Sequence, residues 1–221
     1  MINVLLIGCG NIGALYDLHH EQVLTYAKAF SLDSNYSVTI YDPNTALQHR
    51  IAARYGFKTI ENPSTISYAP FDIVCIATPT VSHFPYLVKA IQANVPVICC
   101  EKPVTYSVEE AAQLVDLYKN GNSRILVNYI RRFQPKYETL RDEIRNLLNQ
   151  GEAIQHIRIS YKRGLLNNGS HVLDLVQFIT SITISAEKHE VTNSVFDTFP
   201  QDPTLSGILQ QESPTRSRAD S

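Results

Sequence analysis

The sequence predicts an α/β fold: a doubly wound parallel sheet at the N-terminal end, followed by a smaller α+β region with a mixed sheet. Three observations predict it. Up to residue 122, short continuous apolar runs alternate with longer amphipathic ones, the strand, helix, strand order of a parallel sheet covered on both faces. The first run leads straight into a glycine-rich turn. Past residue 122 the pattern changes to alternating apolar and polar residues, which suits a sheet with one wet face.

In chain order, the continuous runs "INVLLI", "YSVTIY", "FDIVCIA" and "VPVICC" read as strands. Between them lie helical stretches: Gln22 to Phe30, "TALQHRIAARYG" with Gly56 as its stop, and "VSHFPYLVKAIQAN". "SVEEAAQLVDLYKNG" opens with a Ser107-x-x-Glu110 capping box and ends at Gly121. The strand "RILVNYI" then closes this sheet. "PKYETLRDEIRNLLNQG" reads as a surface helix ended by Gly151, and "AIQHIRISYKR" as a strand with one wet face. In "NNGSHVLDLVQF", Asn168 or Ser170 would cap a helix that buries Val172, Leu175, Val176 and Ile179. "VTNSVFDTF" and "TLSGILQ" are weaker strands, and "QESPTRSRADS" is a polar tail expected to be disordered. The domains are drawn at 1–122 for the sheet, 123–210 for a shortened second domain and 211–221 for the tail.

Composition excludes several classes of function. With 19 basic and 21 acidic residues the net charge is −2, so nothing favours capture of nucleic acid or an anionic membrane. No segment approaches the ~18 apolar residues of a membrane span, and Ile2–Ile7 lacks the basic flank and length of a signal peptide. A cytoplasmic protein is expected. Cys9, Cys75, Cys99 and Cys100 show no zinc-type spacing and read as buried, reduced thiols. His19-His20-Glu21 reads as a solvated loop, so no metal is expected.

Gly8-Cys9-Gly10-Asn11-Ile12-Gly13 follows the first strand and opens a helix-compatible stretch. Gly8 permits the tight turn, Gly10 lets backbone approach a pyrophosphate, and Gly13 lets the following segment pack close to the strand. Asn11 and Ile12 belong to the same candidate phosphate loop. Asp42 ends the second strand, where a carboxylate can accept both adenosine ribose hydroxyls and repel a 2′-phosphate. It comes later than the usual ~20 residues after the loop, so "YDLHHEQ" is an insertion in the first crossover. NAD is favoured; Arg50 keeps NADP open.

"ATPTVSH" and "EKPV" leave two further strands at the same sheet edge, where open parallel sheets bind ligands. Thr78, Pro79 and Glu101 are therefore cofactor-binding candidates. Lys102 is placed to donate to a substrate oxygen. Pro103 fixes its turn and suits a cis bond. His83 is read as a helix-start residue rather than a chemical one.

"GCGNIG", "ATPTVSH", "CCEKPV", "NYIRRFQPKY" and "NNGSHVLDLVQF", in this order and spacing, resemble the glucose-fructose oxidoreductase and inositol dehydrogenase (Gfo/Idh/MocA) family over residues 1 to 182. The resemblance implies an NAD(P)-dependent oxidoreductase with a Rossmann domain and a sheet-rich substrate domain. Its substrate would be a small sugar, cyclitol or nucleotide-linked sugar. It further implies that Lys102 and His171 are catalytic, with His171 the acid/base, and that Asp174 contacts substrate. An imidazole with a pKa near 6.5 suits proton transfer from a secondary alcohol at neutral pH, and His171 and Asp174 lie on one flank of their helix.

Two departures stand out. Asn167, a substrate-binding candidate, occupies the place where many members carry an aspartate, and an amide cannot hold the charge of a proton relay. The chain also reads as shortened relative to the family, whose substrate domain continues through further strands. Such a cut would expose a strand edge, and it weakens the homo-oligomer that the resemblance implies. A rival reading follows, in which the chain binds NAD without turnover, as a remnant or an interaction protein.

Overall fold

The computed structural model describes residues 1–184 and 189–209. They divide into two compact units, Met1–Asn128 and a second beginning at Tyr129.

In the first unit, β1 (Ile2–Ile7), β2 (Tyr36–Tyr41), β3 (Lys58–Thr59), β4 (Ile73–Ile76), β5 (Val97–Cys100) and β6 (Arg124–Val127) form one sheet in the order β3-β2-β1-β4-β5-β6. Every pairing is parallel, and Ile7, Tyr41, Ile76, Cys100 and Val127 are registered neighbours that align the C-terminal edge. The chain winds outward from β1 to β3, then crosses to β4 and winds the other way, so a crevice opens beyond β1 and β4. β6 belongs to this sheet, which carries the first unit to Asn128.

Both faces of the sheet are covered, as the continuous apolar runs required. On one face, Leu5, Ile7, Val74, Ile76 and Ile98 pack with Leu87, Ala90 and Ile91 of α3 (His83–Gln92) and Leu114 of α4 (Val108–Asn120). On the other, Val4, Leu6, Ile40 and Cys75 meet Ala27 of α1 (Tyr26–Ser31) and Ile51 and Ala52 of α2 (Thr45–Tyr55). Each fully buried aliphatic side chain contributes about 1.5–3 kcal/mol, so these two apolar layers hold the sheet.

Two local expectations are corrected. The stretch after the glycine loop makes only one π-type turn, Asn11–Leu15, and the helix predicted from Gln22 begins at Tyr26. The cause is Asp17: its buried carboxylate accepts the N–H groups of Leu24 and Thr25 at 2.6 and 2.7 Å and the Thr25 hydroxyl at 2.8 Å. That fixes 17–25 as a closed loop and leaves Thr25 to cap α1, accepting from Lys28 N–H at 3.3 Å. At α4 half of the capping box forms. Ser107 Oγ accepts the Glu110 N–H at 3.2 Å, but the Glu110 carboxylate accepts the Thr105 hydroxyl, and Thr105 Oγ1 accepts the Ser107 N–H at 3.0 Å.

The second unit contains α5 (Pro135–Asn149), α6 (Ser170–Thr180) and an antiparallel hairpin of β7 (His189–Phe199) and β8 (Asp202–Leu209). The weaker strand candidates thus do form strands. "AIQHIRISYKR" does not: residues 153–163 have no regular structure. Alternation alone cannot make a strand without a ladder partner, and among the described residues β7 and β8 pair with each other. The segment reaches β8 through a side chain instead. The Tyr161 hydroxyl donates to Leu205 O and accepts from Leu205 N–H, both at 3.0 Å. Val191, Val195, Phe196 and Ile208 of the hairpin are exposed. The tail expectation for "QESPTRSRADS" lies outside the described residues. Among the described residues no helix is long and apolar enough to cross a membrane.

Candidate functional site

The glycine loop sits at the C-terminal end of β1, and its three glycines meet different surroundings. A Cβ on Gly8, whose φ is +97°, would lie 2.7 Å from Ala77 C and O, and one on Gly13 would lie 2.0 Å from Gly8 O. Both positions exclude a side chain because backbone already fills the space. A Cβ on Gly10 would find nothing within 4 Å. Gly10 therefore faces the open side of the loop, where backbone can approach a ligand. The first hydrogen bond of the turn runs from Ala14 N–H to Gly10 O at 2.8 Å, so the N–H groups of Asn11, Ile12 and Gly13 precede it and are left to other acceptors.

Asp42 is held against this loop. One carboxylate oxygen accepts the Cys9 N–H at 2.7 Å, and the other accepts the Asn44 N–H at 2.8 Å. The Asp42 N–H donates to Gln48 Oε1 at 2.8 Å, with Gln48 fully buried on α2. Two oriented oxygens at the end of β2 remain able to accept further bonds. Burial, with Asp42 beside it, pushes the Cys9 thiol up to about 12. Cys9 is thus a neutral packing residue, and all four cysteines are free.

The loops after β4 and β5 flank the same sheet edge. Thr78 Oγ1 is buried and meets no hydrogen-bond partner among the described residues, so its hydroxyl is left able to bond a further group. Pro79 is exposed. Glu101 is buried, its Oε1 accepting Tyr26 OH at 3.1 Å and Asn128 Nδ2 at 2.6 Å, while its N–H donates to Ile76 O at 3.0 Å. Burial, reinforced by Glu101, holds the Tyr26 hydroxyl well above the usual phenol range, so it remains a donor. Half-buried Lys102 follows, and the Lys102-Pro103 bond is cis. Tyr26 and Asn128 escaped the sequence reading because each meets Glu101 from a distant part of the chain.

In the second unit, the start of α6 carries the remaining candidates. The helix does not begin as its sequence suggested. Gly164, with φ +84°, starts a π-type turn over Leu165–Gly169 that runs into α6. Neither Asn168 nor Ser170 caps it: Asn168 Nδ2 donates to Lys162 O at 2.9 Å and Ser170 Oγ to Leu166 O at 2.6 Å. The cap is Asp202 of β8, buried, whose two oxygens accept the Leu166 and Asn167 N–H groups at 2.8 Å each. A carboxylate at that position also suits the positive end of the turn. Asn167 Nδ2 donates to Arg163 O at 3.2 Å.

His171 is half-buried with its ring edge-on to Tyr129, centroids 5.6 Å apart. Asp174 is buried and paired with Arg132, whose Nε lies 3.0 and 2.8 Å from its two oxygens and whose Nη2 lies 2.5 Å from Oδ1. That fork holds the Arg132 guanidinium above its ordinary range, and the ring of Phe178 lies 5.6 Å from it. The sequence placed Asp174 beside His171 but did not single out its arginine. Leu175 and Val176 of the expected stripe are buried, with Val172 and Ile179 half-buried.

Residues 2–129 match the family model GFO_IDH_MocA, described as an oxidoreductase family with an NAD-binding Rossmann fold. The chain belongs to this family. The Gfo/Idh/MocA assignment covers the first unit and the glycine loop, Asp42, Thr78, Pro79, Glu101 and Lys102 within it. Curated relatives agree. The chain is 32% identical over 166 residues to inositol 2-dehydrogenase of Corynebacterium glutamicum (strain ATCC 13032), covering 68% of this chain and 47% of that one. It is 33% identical over 141 residues to the rhizopine catabolism protein MocA of Rhizobium meliloti, covering 63% and 41%. The chain thus spans about half the length of the curated relatives it matches.

Solved structures share the fold at low identity. A myo-inositol dehydrogenase from Corynebacterium glutamicum ATCC 13032 has a TM-score of 0.67 at 16% identity, with 96% of this chain and 68% of that one covered. An oxidoreductase from Agrobacterium radiobacter, solved with NAD+, L-tartaric acid and magnesium, has a TM-score of 0.66 at 19% identity, covering 96% and 63%.

Proposed function

We propose that this Gfo/Idh/MocA chain serves an NAD-dependent dehydrogenase that exchanges hydride between the nicotinamide and a secondary alcohol of a cyclitol or sugar. The observation that carries the proposal is the three-glycine loop that excludes side chains at Gly8 and Gly13 and is open at Gly10, in a chain whose curated relatives include inositol 2-dehydrogenases.

The residues fit the dinucleotide. Asn11, Ile12 and Gly13 would offer N–H groups to its phosphates, Asp42 would accept the adenosine ribose hydroxyls, and the buried Thr78 hydroxyl would gain a partner. Pro79 and Glu101 would border the same ligand. The Asp42 carboxylate would repel a 2′-phosphate, which favours NAD over NADP. When bound, the nicotinamide supplies the hydride acceptor.

This chain's residues then handle the oxygen and its proton. Lys102 donates a hydrogen bond to the reacting oxygen, stabilising negative charge as the hydroxyl proton departs. His171 takes that proton at a ring nitrogen, and Tyr129 limits how the ring can turn. Asn167 hydrogen-bonds a neighbouring hydroxyl without holding charge. Asp174, oriented by its pair with Arg132, would position a neighbouring substrate hydroxyl.

The test is direct. NADH binding is followed by fluorescence, and NAD reduction is screened with inositols and sugars. Lys102→Met and His171→Ala should each bind NADH within about threefold of the unaltered chain while losing at least ~100-fold in kcat, the lower range for one general acid/base or oxyanion donor. Full turnover in both variants would remove them from the reaction.

A further inference from the structure

We propose that His83 is a positioning residue that ties together the two loops bearing Thr78 and Lys102; its effect on turnover rests on the dehydrogenase reading above. His83 is the first residue of α3 and only 1% exposed. Its ring nitrogens face two main-chain carbonyls from different loops. Nδ1 lies 3.0 Å from Pro103 O and Nε2 lies 2.8 Å from Thr78 O. A carbonyl only accepts, so the ring serves both loops as a donor: a neutral imidazole donates to one at a time, and the imidazolium to both. A residue needed merely to fill space at the start of α3 would require neither contact.

The placement of the two carbonyls gives the contact its consequence. The segment around Lys102 is held on its N-terminal side by Glu101, through Ile76 O, Tyr26 and Asn128. On its C-terminal side the contact between His83 Nδ1 and Pro103 O is the matching restraint when Nδ1 carries the proton. Lys102 lies between the two. The Thr78 carbonyl belongs to the residue whose hydroxyl is buried without a partner among the described residues, and whose N–H would be 2.9 Å from a Cβ on Gly8. One imidazole therefore sets the spacing between a cofactor-side loop and a substrate-side loop. Displacing a reacting group by ~1 Å can lower a rate about 100-fold, so this spacing matters even though His83 touches no ligand.

The two nitrogens can be tested separately. In His83→Asn the amide nitrogen takes roughly the place of Nδ1, so the Pro103 bond is kept and the Thr78 bond is lost. In His83→Gln it takes roughly the place of Nε2, which keeps the Thr78 bond and loses the Pro103 bond. His83→Asn should weaken NADH binding about tenfold and leave kcat within about threefold. His83→Gln should do the reverse. Amide hydrogen exchange should rise around residues 78–80 in the first variant and around 103–105 in the second. Equal losses in both readouts for both variants, following their loss of thermal stability, would reduce His83 to packing and overturn the proposal. So would unchanged binding, turnover and exchange. If the unaltered chain binds NADH but oxidises no polyol, the dehydrogenase reading fails, and the binding and exchange patterns still decide the role of His83.

Discussion

Adding one methyl group at Gly10 and one at Gly13 should produce opposite defects, although the residues are three apart in the same loop. On Gly13 the new carbon would be 2.0 Å from Gly8 O and 2.9 Å from Gly8 C. Backbone must move to admit it, and overpacking of that kind costs about 1–3 kcal/mol. For a unit of this size, at roughly 4 °C per kcal/mol, Tm should fall by about 4–12 °C. On Gly10, φ is −69° and nothing lies within 4 Å. Gly10→Ala should therefore leave Tm unchanged or raise it slightly, since a compatible Gly→Ala change gains about 0.4–1 kcal/mol. The same methyl would occupy the face by which backbone approaches the pyrophosphate. NADH affinity should fall at least tenfold, about 1.4 kcal/mol. Thermal melting and NADH fluorescence on the two variants separate these effects. Gly10→Ala with unaltered NADH affinity would refute the phosphate-loop assignment, and Gly13→Ala with unaltered Tm would refute the packing argument.

Asp17 gives a pH-dependent expectation. Burial works to raise its carboxyl, but the Leu24 N–H, the Thr25 hydroxyl and the Thr25 N–H outweigh burial and hold it below the usual range. Its stabilising contribution is present above the unfolded value of ~3.9 and is lost as pH falls through the lower folded value. Asp17→Asn should cost about 1–3 kcal/mol at neutral pH, because an amide cannot serve the same three donors, and should flatten the acid limb of a stability curve measured by denaturant melts. Arg132→Ala should leave the buried Asp174 carboxylate unpaired. With the Arg132 side chain 41% exposed, a loss of about 1–3 kcal/mol is expected rather than the larger cost of a fully buried pair. Arg132→Lys should restore only part of it, since an ammonium cannot span both oxygens; full recovery by calorimetry would contradict the bidentate argument. Among the cysteines, the hydrogen bond from Cys75 lowers the Cys99 thiol, whereas burial raises Cys9 and Cys100. Cys99 is also the one not fully buried. Alkylation followed by mass spectrometry should label it first, and prior labelling of Cys9 would contradict the packing of the loop.

How much was legible depends on the range of the interaction. The glycine loop, the Ser107 cap and the Gly56 stop are written in a few adjacent residues, and each appears where its pattern placed it. The 153–163 segment failed as a strand because alternation reports which faces a strand would have, not whether another strand exists to pair with it. The start of α6 misled for a related reason. Asn168 and Ser170 are good local caps, but Asp202, more than thirty residues away, reaches the N–H groups first.

By itself, the sequence determined what short-range chemistry decides. Continuous apolar runs with helices between them specify a doubly wound sheet, and the spacing of three glycines after the first run specifies a tight turn at its end. Tertiary structure decided what each polar side chain is paired with. Asp174 pairs with Arg132, Asp202 caps the turn before α6, Glu101 gathers Tyr26 and Asn128, and His83 spans two carbonyls. A buried donor or acceptor takes whichever partner folding brings within about 3 Å, and that distance is a property of the packed chain rather than of any window along it.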